Sequence, residues 1–130
     1  MSPKVLVALG LLLAPASPAP ALGERVTVTF EFPDRDPVRV PLTYDETVDL
    51  IDDKLNYKVD FWVYGALKKA KLASVADRQD GDVTLTSIGG IANGPAGRWV
   101  YYVNGIRSRY HINTQLAVGV RTIRYAFLAN

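Results

Sequence analysis

Residues 25–43 follow a two-residue rhythm that a helix cannot satisfy. In RVTVTFEF (25–32), Val26, Val28, Phe30 and Phe32 fall on one side, and Thr27, Thr29 and Glu31 on the other. After PDRDP (33–37), VRVPLT (38–43) alternates again through Val38, Val40 and Leu42. Successive strand side chains point to opposite faces, whereas a helix brings residues three and four apart onto one face. The pattern therefore specifies half-buried strands, and the Pro and Asp residues between them suit a tight connection. This predicts an N-terminal hairpin with one apolar and one polar face. Pro41, which lacks an N–H, belongs on an edge strand.

The remaining elements follow from the same kind of reading. In residues 45–58, Thr47 is a candidate cap for a short helix with Val48, Ile51 and Leu55 inside and Asp49, Asp52 and Asp53 outside. From Asp60, DFWVYGALKKAKL predicts a longer helix with Phe61, Tyr64, Leu67 and Leu72 on one side. Lys68, Lys69 and Lys71 sit near its end, where cations suit the helix dipole. Gly65 inside it costs about 1 kcal/mol relative to Ala. DRQDGD (77–82) reads as a polar loop, VTLTSI (83–88) as a strand, and GGIANGPAG (89–97) as a glycine-rich connection.

Asn104-Gly105 then separates Trp99–Val103 from a second strand expected to run to about Tyr110. Both central residues of a two-residue hairpin turn take positive φ, which Asn-Gly accommodates. RTIRYAFL (121–128) closes the pattern, with Ile123, Tyr125 and Phe127 opposed to Thr122, Arg124, Ala126 and Leu128. A hairpin, a helix and further strands in that order indicate an α+β domain. The arrangement that fits best is a β-grasp-like mixed sheet packed on one main helix.

With 130 residues there is room for one domain. Lys4, the apolar run Val5–Ala14 and the Pro-rich stretch to Leu22 resemble a secretory signal, with Ala19-Pro20-Ala21 as its cleavage site. That apolar run is too short to span a bilayer as a helix. Residues 1–21 are therefore read as a signal peptide and 22–130 as a single secreted or periplasmic domain, with no stable membrane span after signal removal. The chain has no cysteine, which excludes disulfides, thiol catalysis and a lipid-anchored cysteine.

The inventory speaks against an enzyme and against a metal site. His111 is the only histidine, and no serine sits in a nucleophile-elbow pattern. The carboxylate pairs Asp34/Asp36, Asp52/Asp53 and Asp80/Asp82 lie in turn-like or solvated contexts. What the chain does offer is cations and rings. All thirteen acidic residues lie between Glu24 and Asp82, and beyond them come Arg98, Arg107, Arg109, Arg121 and Arg124. On the 99–103 strand, Trp99, Tyr101 and Val103 share one side, and Val100 and Tyr102 the other. Whichever set joins the core, a large ring is left on the open face beside arginines. Rings and guanidinium groups together suit stacking, cation–π contact and charge-assisted hydrogen bonds.

VTLTSIGGIANGPAGRWVYYVNGIRS (83–108), followed by IRYAF (123–127), resembles the transcobalamin-like C-terminal domain family of exported proteins. The residues that carry the likeness are Ser87, Ile88, Gly90, Trp99, Tyr102, Val103, Asn104 and Gly105, with ALKKAK (66–71) similar to the end of the family's helix. The resemblance implies a β-grasp-like fold. In the vitamin B12 carriers this module is the smaller lobe that closes over the corrinoid, so cobalamin is a candidate ligand and no cofactor is required. The expected function is a non-catalytic exported binding domain for a planar or anionic small molecule such as a corrinoid. The alternative is a protein–protein or surface-glycan module. The expected contact residues are Trp99, Tyr101, Tyr102, Arg98, Arg107, Asn104 and Gly90. The expected partner is a small molecule or a protein, not a nucleic acid.

Overall fold

Strands β1 (Arg25–Glu31) and β2 (Val38–Thr43) form the N-terminal antiparallel hairpin, with Val28 opposite Val40 and Thr29 opposite Arg39. The computed structural model describes residues 25–52 and 58–130, so the expected signal peptide and residues 53–57 lie outside the described residues. Val26, Val28, Phe30, Val40 and Leu42 are buried. Pro41 is exposed on β2, which forms one border of its sheet.

Helix α1 (Tyr44–Ile51) starts directly after β2. Its cap is Thr43 rather than the expected Thr47. Thr43 Oγ1 accepts the Glu46 N–H at 3.2 Å, and Glu46 Oε1 accepts the Thr43 N–H at 3.2 Å. This reciprocal capping box needs a glutamate or glutamine three residues after the cap, which Thr43 has and Thr47 lacks. Thr47 is instead buried in the first turns, its hydroxyl donating to the Thr43 carbonyl at 2.7 Å.

Helix α2 (Val59–Ala70) is the long helix expected from Asp60 onward. Phe61, Trp62, Val63, Ala66 and Leu67 are all buried, because the helix packs against β1, β2 and α1. The first N–H groups of a helix have no intrahelical partner. Here main-chain carbonyls supply two of them: Val59 N–H donates to Gln115 O at 2.9 Å and Asp60 N–H to Ile112 O at 2.8 Å.

A small second sheet follows, made of β3 (Ser74–Gln79), β4 (Asp82–Ile88) and β5 (Ile91–Ala92). Residues 77–82 are thus not a polar loop, and the glycine-rich connection contains a short strand. Asp80 and Gly81 form the tight β3–β4 turn at φ 52° and 84°. An Asp-Gly pair favours such a turn for the reason given above for Asn-Gly. No residue of β3 is fully buried, so it lacks the alternation that would have marked it as a strand.

Strands β6 (Gly97–Val103), β7 (Ile106–Arg107) and β8 (Thr122–Ala129) complete the main sheet. The strand expected to reach Tyr110 ends at Arg107. The order is β2-β1-β8-β6-β7, with β8 parallel to β1 and antiparallel to β6. This mixed sheet with a packing helix is the expected α+β, β-grasp-like architecture. Its aromatic core includes Tyr101 stacked on Tyr125 at 5.2 Å between centroids, and Trp99 edge-on to Phe32 at 5.4 Å.

Gly65 marks where α1 and α2 meet most closely. A Cβ there would lie 2.6 Å from Thr47 Cγ2. Gly65→Ala should therefore destabilise the domain by about 1–3 kcal/mol despite the better helix propensity of Ala. Thr47→Ser removes the obstructing methyl and keeps the hydroxyl, so the double variant should recover much of the loss. Urea unfolding of the four proteins checks this, and additive effects of the two substitutions would contradict it.

Candidate functional site

Strand β7 pairs with β6 only through Tyr102 and Val103. The outer edge of β6 from Gly97 to Tyr101 consequently has no strand neighbour. Ser108 still follows that edge, its N–H donating to the Tyr101 carbonyl at 2.9 Å. A groove of about 180 Å³ opens there. It is lined by residues 98–101 of β6, residues 107–112, residues 83–85 of β4, and Tyr125.

Polar side chains fix the segment after β7 in the absence of a ladder. The Tyr101 hydroxyl donates to the Tyr110 carbonyl at 2.5 Å, with Gln115 Oε1 at 3.1 Å. Ser108 Oγ donates to Gln115 Oε1 and accepts the Tyr110 N–H at 3.1 Å. Asn113 ties the same segment to the β3–β4 hairpin. Its Oδ1 accepts the Val83 N–H at 3.0 Å, and its Nδ2 donates to Gly81 O at 2.6 Å. Since Gln115 and Ile112 also cap α2, the groove wall is anchored to the long helix.

The groove is cationic. Arg98, Arg107 and Arg109 line it and are exposed, and no aspartate or glutamate is among its lining residues. Among the described residues, none of these three guanidinium groups forms an ion pair with a carboxylate. His111 also contributes to the lining, with Nε2 3.5 Å from Asp82 Oδ2 and Nδ1 3.2 Å from Thr84 Oγ1. Like charges around a concave site with apolar walls focus the potential on an incoming anion.

The structure brings four of the expected site residues together here: Arg98, Trp99, Tyr101 and Arg107. The two rings belong to the core face and present only part of themselves to the groove, being 5% and 8% exposed. Trp99 Nε1 donates to Ile91 O at 2.8 Å, and the Trp99 main-chain N–H donates to Asn93 Oδ1 at 2.7 Å. Tyr102 lies on the opposite, open face, where the Arg124 guanidinium stacks over its ring at 4.0 Å. Arg124 also pairs with Glu31 at 2.7 Å.

The other two expected residues serve turns. Asn104, at φ 50°, accepts the Arg121 N–H at 2.8 Å and the Thr122 N–H at 3.2 Å, and donates to Gly119 O at 3.2 Å. Gly90 sits at φ 88° in the β4–β5 turn, away from the groove lining. Sequence reasoning passed over Ser108, Arg109, Tyr110 and His111 as members of one site. The available signal was Arg107 and Arg109 flanking a serine in a stretch without acidic residues.

No family model matches the chain, and no curated protein matches it. Solved structures do. The "putative metal binding protein" of Ruminococcus gnavus ATCC 29149 is similar over 82% of this chain and 98% of that one, with a TM-score of 0.57 and 10% identity. Haptocorrin, solved in complex with Cbi, is similar over 84% of this chain, with a TM-score of 0.56 and 9% identity. This chain spans 26% of the haptocorrin chain. At such identities the likeness is one of fold. Among the described residues no group of three or more His, Asp or Glu side chains is placed to hold a metal ion.

Two predictions follow from the groove floor. Trp99→Ala removes a ring packed between Phe32 and Phe127 and should cost about 3–5 kcal/mol, read by thermal or urea unfolding. Burial pushes the Tyr125 phenol well above its ordinary value of 10.0, and burial also raises Tyr101, with the Ser108 hydrogen bond opposing it. Unfolded tyrosines ionise near pH 10 while these stay protonated in the fold, so their contribution to stability is complete below that pH and is lost above it. Melting temperature should fall from about pH 10 upward. Tyr125→Phe should flatten that fall, and an unchanged slope would contradict the assignment.

Proposed function

We propose that this domain is an exported, non-catalytic binding module that takes a small anionic or planar molecule in the groove beside β6. One observation carries the reading. Arg98, Arg107 and Arg109, unpaired with any described carboxylate, line the rim of a groove floored by aromatic rings. Guanidinium groups left without internal partners at a concave site favour a ligand that brings carboxylate or phosphate oxygens. The rings and the side chains of Val83 and Leu85 favour a flat or apolar body attached to them.

A corrinoid is one member of this class, and the fold likeness to haptocorrin, solved with Cbi, supports including it in the test. A groove of about 180 Å³ is smaller than the ~300–1,000 Å³ of typical drug-sized sites. A macrocycle would therefore rest against it by an edge.

A second reading is favoured by the open face of the main sheet. Strand register places Arg39, Thr29, Arg124, Tyr102 and Arg107 side by side across five strands. Such a row suits a protein surface or a glycan that stacks on Tyr102.

The readings separate on titration with 2-naphthoate, cobinamide and cobalamin, followed by tryptophan fluorescence and calorimetry. The groove reading expects binding of at least one of them, weakened by added salt. It also expects Arg107→Ala combined with Arg109→Ala to weaken binding at least tenfold without altering the melting temperature appreciably. No response at millimolar concentrations would sink it. Binding lost in Tyr102→Ala but retained in Arg109→Ala, which leaves the open-face row intact, would transfer the function to the open face.

A further inference from the structure

The edge of β6 carries a pair of main-chain groups that the fold leaves facing the groove. Alternate residues of an antiparallel strand turn their N–H and C=O groups to the same edge. Asn93 Oδ1 receives the Trp99 N–H at 2.7 Å, and the Ser108 N–H reaches the Tyr101 carbonyl at 2.9 Å. Both residues therefore direct their main chain away from β8. Between those two bonds lie the Trp99 carbonyl and the Tyr101 N–H. No loop or side chain among the described residues bonds either one. Main-chain groups left in a part-buried groove need a partner, which is a solvent molecule or a ligand.

Resting on the groove reading above, we infer that the guest is an extended acidic peptide that adds one strand residue beside Val100. A carbonyl at one position and an N–H two positions later are the two groups that a single residue of a parallel neighbour engages. The guest residue donates its N–H to the Trp99 carbonyl and accepts the Tyr101 N–H with its own carbonyl. The peptide residues two positions to either side share the face of Val100, and they place carboxylates toward Arg98 on one side and toward Arg107 and Arg109 on the other. In strand addition the main-chain bonds supply affinity and the flanking pockets supply selectivity. A purely aromatic anion would use the arginines and leave the main-chain pair unmet.

The same edge explains why such pairing stays short. Asn93 blocks it on one side of the pair and Ser108 on the other, so a guest gains one residue of ladder and cannot zip along β6. Edges limited in this way resist indiscriminate sheet growth.

The test uses the intact domain and an acetylated, amidated pentapeptide of alternating Glu and Val. Three comparison probes accompany it: the same peptide N-methylated at its central residue, a version with Lys in place of Glu, and 2-naphthoate. The inference expects the acidic peptide to bind, the N-methylated form to bind about three- to tenfold more weakly, and the Lys form not to bind. It also expects 2-naphthoate to compete, Arg107→Ala to weaken the acidic peptide, and the Tyr101 amide proton to move downfield in an NMR titration. Equal affinity for the parent and N-methylated peptides would overturn it, as would peptide binding that 2-naphthoate does not displace. If 2-naphthoate binds and the peptide does not, the peptide inference falls while the small-anion reading stands. If neither binds, the peptide inference falls, and the groove reading then stands or falls on the cobinamide and cobalamin titrations.

Discussion

The fold turns on β8, which lies between β1 and β6 and pairs with both. Parallel strands cannot be joined by a tight turn, so the β1–β8 pairing requires everything between them to be carried across as one connection. That connection contains both helices and the second sheet. Ile123 and Tyr125, whose side chains enter the core from β8, are buried, with Val28 and Phe30 beside them on β1 and Val103 and Tyr101 on β6. Stability is therefore dominated by contacts distant in sequence, and slow, cooperative folding is the expected accompaniment.

The groove is a consequence of how the chain returns to that central position. After β7 the polypeptide must travel from the sheet border to Thr122, and over this stretch it forms no strand. Its path is held by the amides of Asn104, Asn113 and Gln115 and by the Val59 and Asp60 N–H groups at the start of α2. Because the path leaves β6 at Ser108, the strand edge between the Trp99 carbonyl and the Tyr101 N–H is uncovered, and arginines line the groove around it. Site and scaffold share residues: Tyr101 is at once core, hydrogen-bond donor to the loop, and groove lining.

Legibility in the sequence followed the physics of each element. The N-terminal hairpin and β8 were readable because one face is buried and one is wet, which imposes alternation on Val26–Phe32 and Thr122–Leu128. The long helix was readable from its apolar spacing. Strand β3 was not, because both of its faces are largely exposed and only Asp80-Gly81 announced it. The α1 cap lies four residues before Thr47, at Thr43, where Glu46 provides the capping-box spacing. For the central aromatic strand, alternation divided the rings into two sets without choosing between them. The choice lies in the register that sets Trp99 opposite Phe127 and Tyr101 opposite Tyr125. The groove itself was not legible, since it depends on where β7 stops, and that depends on hydrogen bonds between Ser108, Tyr110 and Gln115.

Asn104 also bears on how the molecule ages. Asn-Gly is the sequence at which the following backbone nitrogen most readily attacks the side-chain carbonyl, expelling ammonia to give a cyclic imide that water then opens to a carboxylate. Here both ends of that amide are engaged, the oxygen by the Arg121 and Thr122 N–H groups and the nitrogen by Gly119 O. Holding the group in place impedes the rotation that attack requires. Once hydrolysed, it would set a negative oxygen against the Gly119 carbonyl and loosen the entry to the central strand, so damage at a single turn would register in the middle of the sheet.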